Sequence, residues 1–470
     1  MVFSSISFLF FFLPVFLLLD NIIKNNLRNY LLIGASLLFY VWGEAGGVFL
    51  LIALCLINMG FGKIILKCKN GILKINKKRG GYASLVLAIG VVFNISILLY
   101  YKYMVWVVNE LSELIGFDFV HLKEKALPLG ISFFTFHAIS YLVDVYKGIA
   151  KQHSGTDFAT YFFMFPHLVA GPIVRFESIR SDIQCRKFDK DLFTYGVFRF
   201  IIGVNKKVLI ANSVAPLADQ AFQAQGTLGM LDAWIGILAY TVQIYFDFSG
   251  YSDMAIGLAA MLGIRFDENF RSPYKSYSIK EFWRRWHISL SSWLRDYLFI
   301  PLGGSRCSKW INYRNLLIVF IVCGLWHGAQ FTFLCWGLFH GGLLILEKTK
   351  FGYFIEGLPK FVQRSYCLLM VVIGWVFFRS ENLAHANEYL MALFNITSTS
   401  TFYQSYGYLN LLALVIGLVI ALFGKSFARE EKTNTYAINT VFYAANTLLF
   451  AVAASVLYTN ARNPFIYFNF

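Results

Sequence analysis

Charge is the scarcest property of this 470-residue chain: 14% of its residues are Asp, Glu, Lys or Arg, while 58% are hydrophobic and 18% aromatic. Its mean hydropathy is +0.59. With repeated apolar runs of about 17 residues or more, that balance excludes a soluble protein. Period-two alternation is missing too, which excludes a barrel and leaves helices as the way to satisfy the backbone in lipid. The seven cysteines (55, 68, 185, 307, 323, 335, 367) are odd in number and form no CxxC pair. Cys55, Cys323, Cys335 and Cys367 lie in apolar runs as small filler, and Cys68, Cys185 and Cys307 lie beside basic loops, so no disulfide framework is implied. No HExxH or Cys/His ligand spacing is present, so no metal site is expected. Neither a repeat nor a linker divides the chain, which is expected to form one domain over 1–470. The opening MVFSSISFLFFFLPVFLLLD lacks a basic n-region and a cleavage site, so a retained first helix with an outside N-terminus is expected.

The charges that do occur are biased, with a formal net charge of +15. Lys and Arg cluster in loops beside the apolar runs, the pattern of the positive-inside rule rather than of a nucleic-acid-binding surface. The loop 67–80 carries Lys67, Lys69, Lys74, Lys77, Lys78 and Arg79 with no acid. Spans are expected at 3–19, 30–43, 47–66, 82–108, 126–148, 234–264, 366–378, 408–424 and 437–459. The stretch 161–176 is too short and too broken by Pro166, Gly171 and Pro172 to cross, and reads as re-entrant; irregular backbone at that depth implies a cavity. Residues 193–222 read as amphipathic and 379–395 as interfacial. The polar stretch 109–125 is expected outside, the loop 425–433 is mixed in charge, and hydropathy does not fix the topology between 347 and 425. The expected fold class is all-α: a polytopic membrane protein of about 9–12 transmembrane helices plus re-entrant and interfacial amphipathic helices.

The chain is organised around Asn315–Leu346. Its 32 residues would span about 48 Å as one helix against a hydrocarbon core of about 30 Å. It must therefore tilt, bend or break, at Gly324, Gly328 or the Gly341-Gly342 pair. His327, in GLWHGA, lies on the order of 20 Å past the basic segment Arg306–Arg314. An ionisable side chain at such depth marks a functional site or, more blandly, a core histidine satisfied by a neighbouring helix. His137, in the 126–148 span, reads as a packed core residue.

Two further stretches carry polar chemistry. In TVQIYFDFSGYSDMAIG, Tyr240, Gln243, Asp247 and Tyr251 share one helical stripe, and Ser249 and Asp253 another. Two carboxyls in one membrane helix face a cavity or hydrogen-bond to neighbouring helices. In 265–304, Phe282, Trp286, Leu290, Trp293 and Tyr297 fall within an arc of about 80°. Arg284, Arg285, Arg295 and Asp296 lie opposite. That predicts an interfacial helix with His287 at the boundary of its faces, reaching toward water.

MVFSSISFLFFFLP, LPLGISFFTFHAISYLVDVYKG, FPHLVAGPIVRF, QIYFDFSGYSDMAIGLAAMLG, ENFRSPYKSYSIKEFWRRWHISLSSWLRDYLFIPLGG and NLLIVFIVCGLWHGAQFTFLCWGLFHG run in this order from the first residue past residue 340. Together they resemble the membrane-bound O-acyltransferase family. The similar branch holds the alginate O-acetylation membrane protein and related polysaccharide and peptidoglycan O-acetyltransferases. The resemblance implies a motif-bearing core over about 126–345. It makes His327 the expected catalytic histidine of the WHG motif, and His287 the second, cytoplasm-proximal one. Trp326, Asp247, Ser249, Tyr251, Asp253, Asn269 and Gln243 become candidates for lining the substrate tunnel. The chain departs from the family pattern at His167, where Gln is expected, and at Asp267, where Pro often stands.

Acyl transfer to a hydroxyl needs a base for the O–H proton, and a histidine near neutral pKa suits it. The resemblance implies a cytoplasmic thioester donor, acetyl-CoA, whose phosphates Arg284, Arg285 and Arg295 could attract. CoA is a substrate in this reading, and no bound cofactor is expected; no Gly-rich nucleotide loop is present. An extracytoplasmic acceptor polymer, a separate SGNH-hydrolase-like partner and a bacterial inner-membrane location are further implications. Two alternatives remain: D-alanyl transfer to teichoic acid within the same family, or a transporter or flippase using Asp247 and Asp253 as ion sites.

Overall fold

Apolar runs become helices, and much of what those helices leave uncovered is apolar. A computed structural model describes residues 2–69, 79–115, 127–150, 153–224, 228–396, 406–424, 440–459 and 466, and among these no strand occurs. Among the described residues five helices are long and apolar enough to cross a membrane: Gly47–Lys69, Gly81–Lys102, Lys190–Gln223, Lys360–Arg379 and Val441–Thr459. Three shorter apolar helices are Phe8–Ile22, Phe331–Leu346 and Tyr408–Phe423. Phe49, Val92, Leu448 and Tyr408 are among the large side chains left open, a surface suited to lipid tails. The protein is an all-α, polytopic membrane protein. Of the stretch 109–125 expected outside, residues 109–115 are helical and the rest lies outside the described residues, as do the expected loop 425–433 and most of the basic loop 67–80.

The chain packs as two compact units. Unit 1 comprises Met1–Val197 and Ala255–Asp267. It holds α1 (Leu13–Ile22), α2 (Arg28–Gly43), α3 (Gly47–Lys69), α4 (Arg79–Lys102), α5 (Met104–Ile115), α6 (Ile131–Lys147), α7 (Gly155–Phe163), α8 (Phe165–Leu168) and α9 (Phe176–Gln184). The stretch 161–176 does not cross: α7, opened by the Ser154–Asp157 capping box, gives way to one turn and then irregular backbone whose side chains are nearly all buried in protein. His137 is packed in the core, its ring stacked 4.5 Å from that of His167. Asp20 accepts from both Arg28 and Arg186 beneath the surface, tying the start of the chain to the segment after α9.

Unit 2 comprises Phe198–Met254 and Glu268–Phe470. The chain enters it along α10 (Lys190–Asn205), which a π-helical turn, Lys206–Ala211, joins to α11 (Asn212–Gln223). This run was expected to be amphipathic and is instead one long, apolar, spanning-length helix, because its cations turn inward. Lys207 is fully buried and Arg199 nearly so, both against carboxylates of α12 (Met230–Met261). Next come α13 (Ile279–Arg285), α14 (Ile288–Leu294), α15 (Lys309–His327), α16 (Phe331–Leu346), α17 (Lys350–Glu356), α18 (Lys360–Arg379), α19 (Leu383–Ala392), α20 (Tyr408–Phe423) and α21 (Thr440–Thr459). The interval from 347 to 425 that hydropathy leaves open therefore holds a short helix, a spanning-length one, another short one and α20.

The expected helix over 265–304 is corrected in two ways. It breaks at Trp286-His287 into α13 and α14, and its aromatic side (Phe282, Trp286, Leu290, Trp293) is buried in protein rather than laid in an interface. The central run breaks as well, at Gly328, and folds back as a hairpin of α15 and α16. The two helices cross where glycines let the backbones touch: a Cβ on Gly337 would lie 2.3 Å from the Phe320 carbonyl oxygen, and one on Gly324 2.2 Å from that of Phe333. Gly337→Val is expected to destabilise the protein by about 1–3 kcal/mol, read as a lower unfolding temperature in detergent. Gly342→Val, where a Cβ meets nothing within 4 Å, is expected to be neutral; equal melting of the two variants would contradict the crossing.

Candidate active site

His327 is the last residue of α15, at the tip of the hairpin. Gly328 is extended behind it, and the Phe333 ring occupies the place of the missing side chain, where a Cβ would lie 2.1 Å from Cε2. The imidazole is 4% exposed. Trp336 of α16 meets it edge-on at 5.3 Å between ring centroids, and Phe378 of α18 at 5.0 Å. Trp326 links the two sequence-predicted histidines, with its ring 4.8 Å from that of His327 and 6.2 Å from that of His287.

His287 was expected to reach toward water and is instead 1% exposed. It stands at the break between α13 and α14 with φ 42° and ψ 55°, a left-handed conformation uncommon for a residue with a side chain. Asn269 holds it there. The Asn269 backbone carbonyl accepts from the Ile288 N–H at 2.9 Å, and its side-chain Oδ1 lies 3.1 Å from His287 Nδ1. Arg271 N–H donates to the Arg285 carbonyl at 2.9 Å, so the loop before α13 is laced to the break on both sides. Asn269 is fully buried, and neither it nor His287, Trp326 or His327 is on the wall of the large cavity.

That cavity, of about 1020 Å³, opens beside α13 and α14. Lys280, Arg284, Arg295, Lys348 and Lys360, all exposed, line it together with the carboxylates of Glu281, Glu347 and Glu356. Burial pushes the Glu347 carboxyl up, against the backbone N–H bonds from Ile279 and Lys280, and pushes the Lys348 ammonium down. Both groups are thus drawn toward their neutral forms. Arg285 does not line the cavity; it is held by Glu281 at 2.7 Å. Further in, the lining is apolar and buried: Trp283, Leu294, Val319, Phe320, Cys323 and Leu344. On α15, Leu316, Val319, Phe320 and Cys323 follow one helical stripe. Four residues past Cys323 that stripe reaches His327, about 6 Å further along the axis.

The polar residues of α12 are placed differently. Asp247 is paired with Lys207 at 2.6 Å and also accepts from the Ile466 N–H at 2.8 Å. Asp253 is paired with Arg199 and Lys206, each at 2.6 Å, and Arg199 continues to Glu268 at 2.7 Å. Ser249 and Asp253 border a separate small void of about 40 Å³, and Gln243 and Tyr251 are buried; none of these five lines the large cavity. Sequence reasoning missed Lys207 and Arg199, whose signal was available: a lysine inside IIGVNKKVLIA needs a carboxylate from a neighbouring helix. It also missed Trp336 and Phe378, which carry no local signal. Among the described residues no group of three or more potential metal-ligating side chains occurs.

The family described as MBOAT, membrane-bound O-acyltransferase, matches residues 120–385. The chain belongs to the membrane-bound O-acyltransferase family. Within this family it is 44% identical to a probable alginate O-acetylase of Pseudomonas aeruginosa over 438 residues, 90% of this chain and 81% of that one. It is 32% identical to a peptidoglycan O-acetyltransferase of Helicobacter pylori, over 100% of this chain and 98% of that one. A teichoic acid D-alanyltransferase of Bacillus subtilis is 30% identical over 53% of this chain and 66% of its own length. The protein is an acyltransferase of the O-acetylating branch, and the matched stretch contains both histidines and the whole of the cavity wall.

Removing one partner of a buried ion pair costs about 3–5 kcal/mol. Lys207→Met is accordingly expected to lower the unfolding temperature sharply, and Lys207→Met with Asp247→Leu to recover much of the loss. Equal stability of the single variant and the parent would show that this pair does not hold the π-helical turn after α10 to α12.

Proposed function

We propose that the protein takes an acetyl group from a cytoplasmic thioester, acetyl-CoA, and passes it across the inner membrane for O-acetylation of an extracytoplasmic polysaccharide or peptidoglycan. The observation that carries this reading is the cavity, lined in one part by exposed cations and in another by buried apolar side chains, among them Cys323, one helical turn before His327. A nucleotide's phosphates suit the Arg284 and Arg295 end, and an uncharged thioester arm suits the wall of Trp283, Val319, Phe320 and Cys323. His327 acts as base: a ring nitrogen takes the acceptor's O–H proton, the oxygen bonds to the acyl carbon, and the C–S bond breaks. The leaving thiolate then takes the proton back from the imidazolium, so nothing accumulates on the protein.

The acetyl reading is favoured over D-alanyl transfer by coverage, since the O-acetylating relatives align with nearly the whole chain and the D-alanylating one with about half. An ion-coupled transporter using Asp247 and Asp253 is disfavoured because both carboxylates are already paired with buried cations, Lys207 and Arg199. A secreted SGNH-hydrolase-like partner would receive the acyl group before the polymer does.

His327→Ala is expected to abolish acetylation of the polymer while the protein stays folded in the membrane; normal acetylation refutes the role. Arg284→Gln with Arg295→Gln is expected to raise the KM for acetyl-CoA about tenfold, leave kcat within twofold and flatten the salt dependence of KM. An unchanged KM would remove the cavity from the donor's path.

A further inference from the structure

The hydrogen-bond network behind His287 contains one group whose role is not open to choice. The Ser289 backbone N–H can only donate, and it points at Oδ1 of Asn269 from 3.2 Å. The amide atom there is therefore the oxygen, because a flipped amide would set N–H against N–H. The opposite amide atom, Nδ2, then donates to Ser252 Oγ at 3.0 Å. The Ser289 hydroxyl donates to the same Oδ1 at 2.8 Å, so its single hydrogen is not available to His287 Nδ1, 3.5 Å away. The imidazole Nδ1 lies 3.1 Å from Oδ1, an atom with no hydrogen to give. Only a protonated Nδ1 makes that bond, and turning the ring over would put a carbon in its place.

From this we infer that Asn269 is a positioning residue that fixes His287 in the tautomer with hydrogen on Nδ1, leaving Nε2 to accept. The inference rests on the reading that His287 belongs to the transfer site. Its support is geometric. Asn269 is 0% exposed, Ser252 1% and Ser289 8%, so the network does not trade partners with bulk water, and its bonds act in a low dielectric. The left-handed backbone of His287, bridged to Asn269 through the Ile288 N–H, keeps the ring from leaving it.

The identity of the partner has a chemical meaning. A carboxylate at this position would fix the same tautomer and also favour the imidazolium. An amide fixes the tautomer without adding charge. Nε2 is thereby kept as a neutral acceptor that can take a hydrogen bond from a group in the transfer site.

The test uses the full chain labelled with ¹⁵N-histidine in lipid nanodiscs, with the His287 resonances identified by their loss in His287→Gln. At neutral pH, Nδ1 is expected to appear as the protonated nitrogen and Nε2 as the unprotonated one; the reverse overturns the inference. Asn269→Asp is expected to drive the same ring to the doubly protonated form at a pH where the parent is neutral, and an unchanged spectrum overturns it. Asn269→Leu is expected to lower kcat about ten- to a hundredfold with the donor KM within twofold. Full activity, or a change confined to KM, counts against a positioning role. The spectra do not depend on turnover, so an inactive His327 assignment and a wrong tautomer are separate failures.

Discussion

Two peptide carbonyls lying where side chains would otherwise be govern the second unit. Because Gly324 and Gly337 carry no Cβ, α15 and α16 meet backbone to backbone, with the Phe320 and Phe333 oxygens in the vacated space. Contact at that distance makes a hairpin of what would otherwise be one over-long helix. The 19 residues of α15 reach about 28 Å, and its last residue stands at the turn of the hairpin. His327 is placed by that arithmetic, and the rings of Trp336 and Phe378 then close on it from the returning helix and from α18.

A second constraint is the burial of cations. Arg199 and Lys207 sit beneath the surface because α12 supplies Asp253 and Asp247 to meet them. Such pairs contribute little net stability over a well-packed apolar pair, but a lone member would be intolerable. They therefore set the register of α10 against α12 more than they strengthen the contact. Glycine again permits the approach: a Cβ on Gly203 would lie 2.5 Å from the Gly250 carbonyl oxygen.

Most of the helices were legible in the sequence because apolar length is a local property. The spans near 30–43, 47–66 and 408–424 appear within a few residues as α2, α3 and α20, and the broken stretch at 161–176 does not cross. What was not legible depends on partners distant in the chain. The break at His287 has no glycine or proline to announce it; it exists because Asn269 binds both the ring and the following turn. The 193–222 run holds its Arg199, Lys206 and Lys207 against carboxylates of α12, partners that lie outside the run itself. The two histidines and the cavity arginines Arg284 and Arg295 could be named from motifs, whereas the exclusion of Arg285 from the cavity required knowing that Glu281 holds it. Trp336 and Phe378 became visible only when the hairpin and α18 were closed around His327.

The left-handed backbone at position 287 also narrows which residues evolution can sample there. Ordinary side chains are disfavoured at such a φ, and the residues that tolerate it best are glycine, asparagine, aspartate and histidine. Three of those four present a nitrogen or oxygen at the second or third atom of the side chain. A neutral drift at this position is therefore channelled toward groups that can still hydrogen-bond. The main chain, rather than the chemistry alone, filters the substitutions that this corner of the protein can survive.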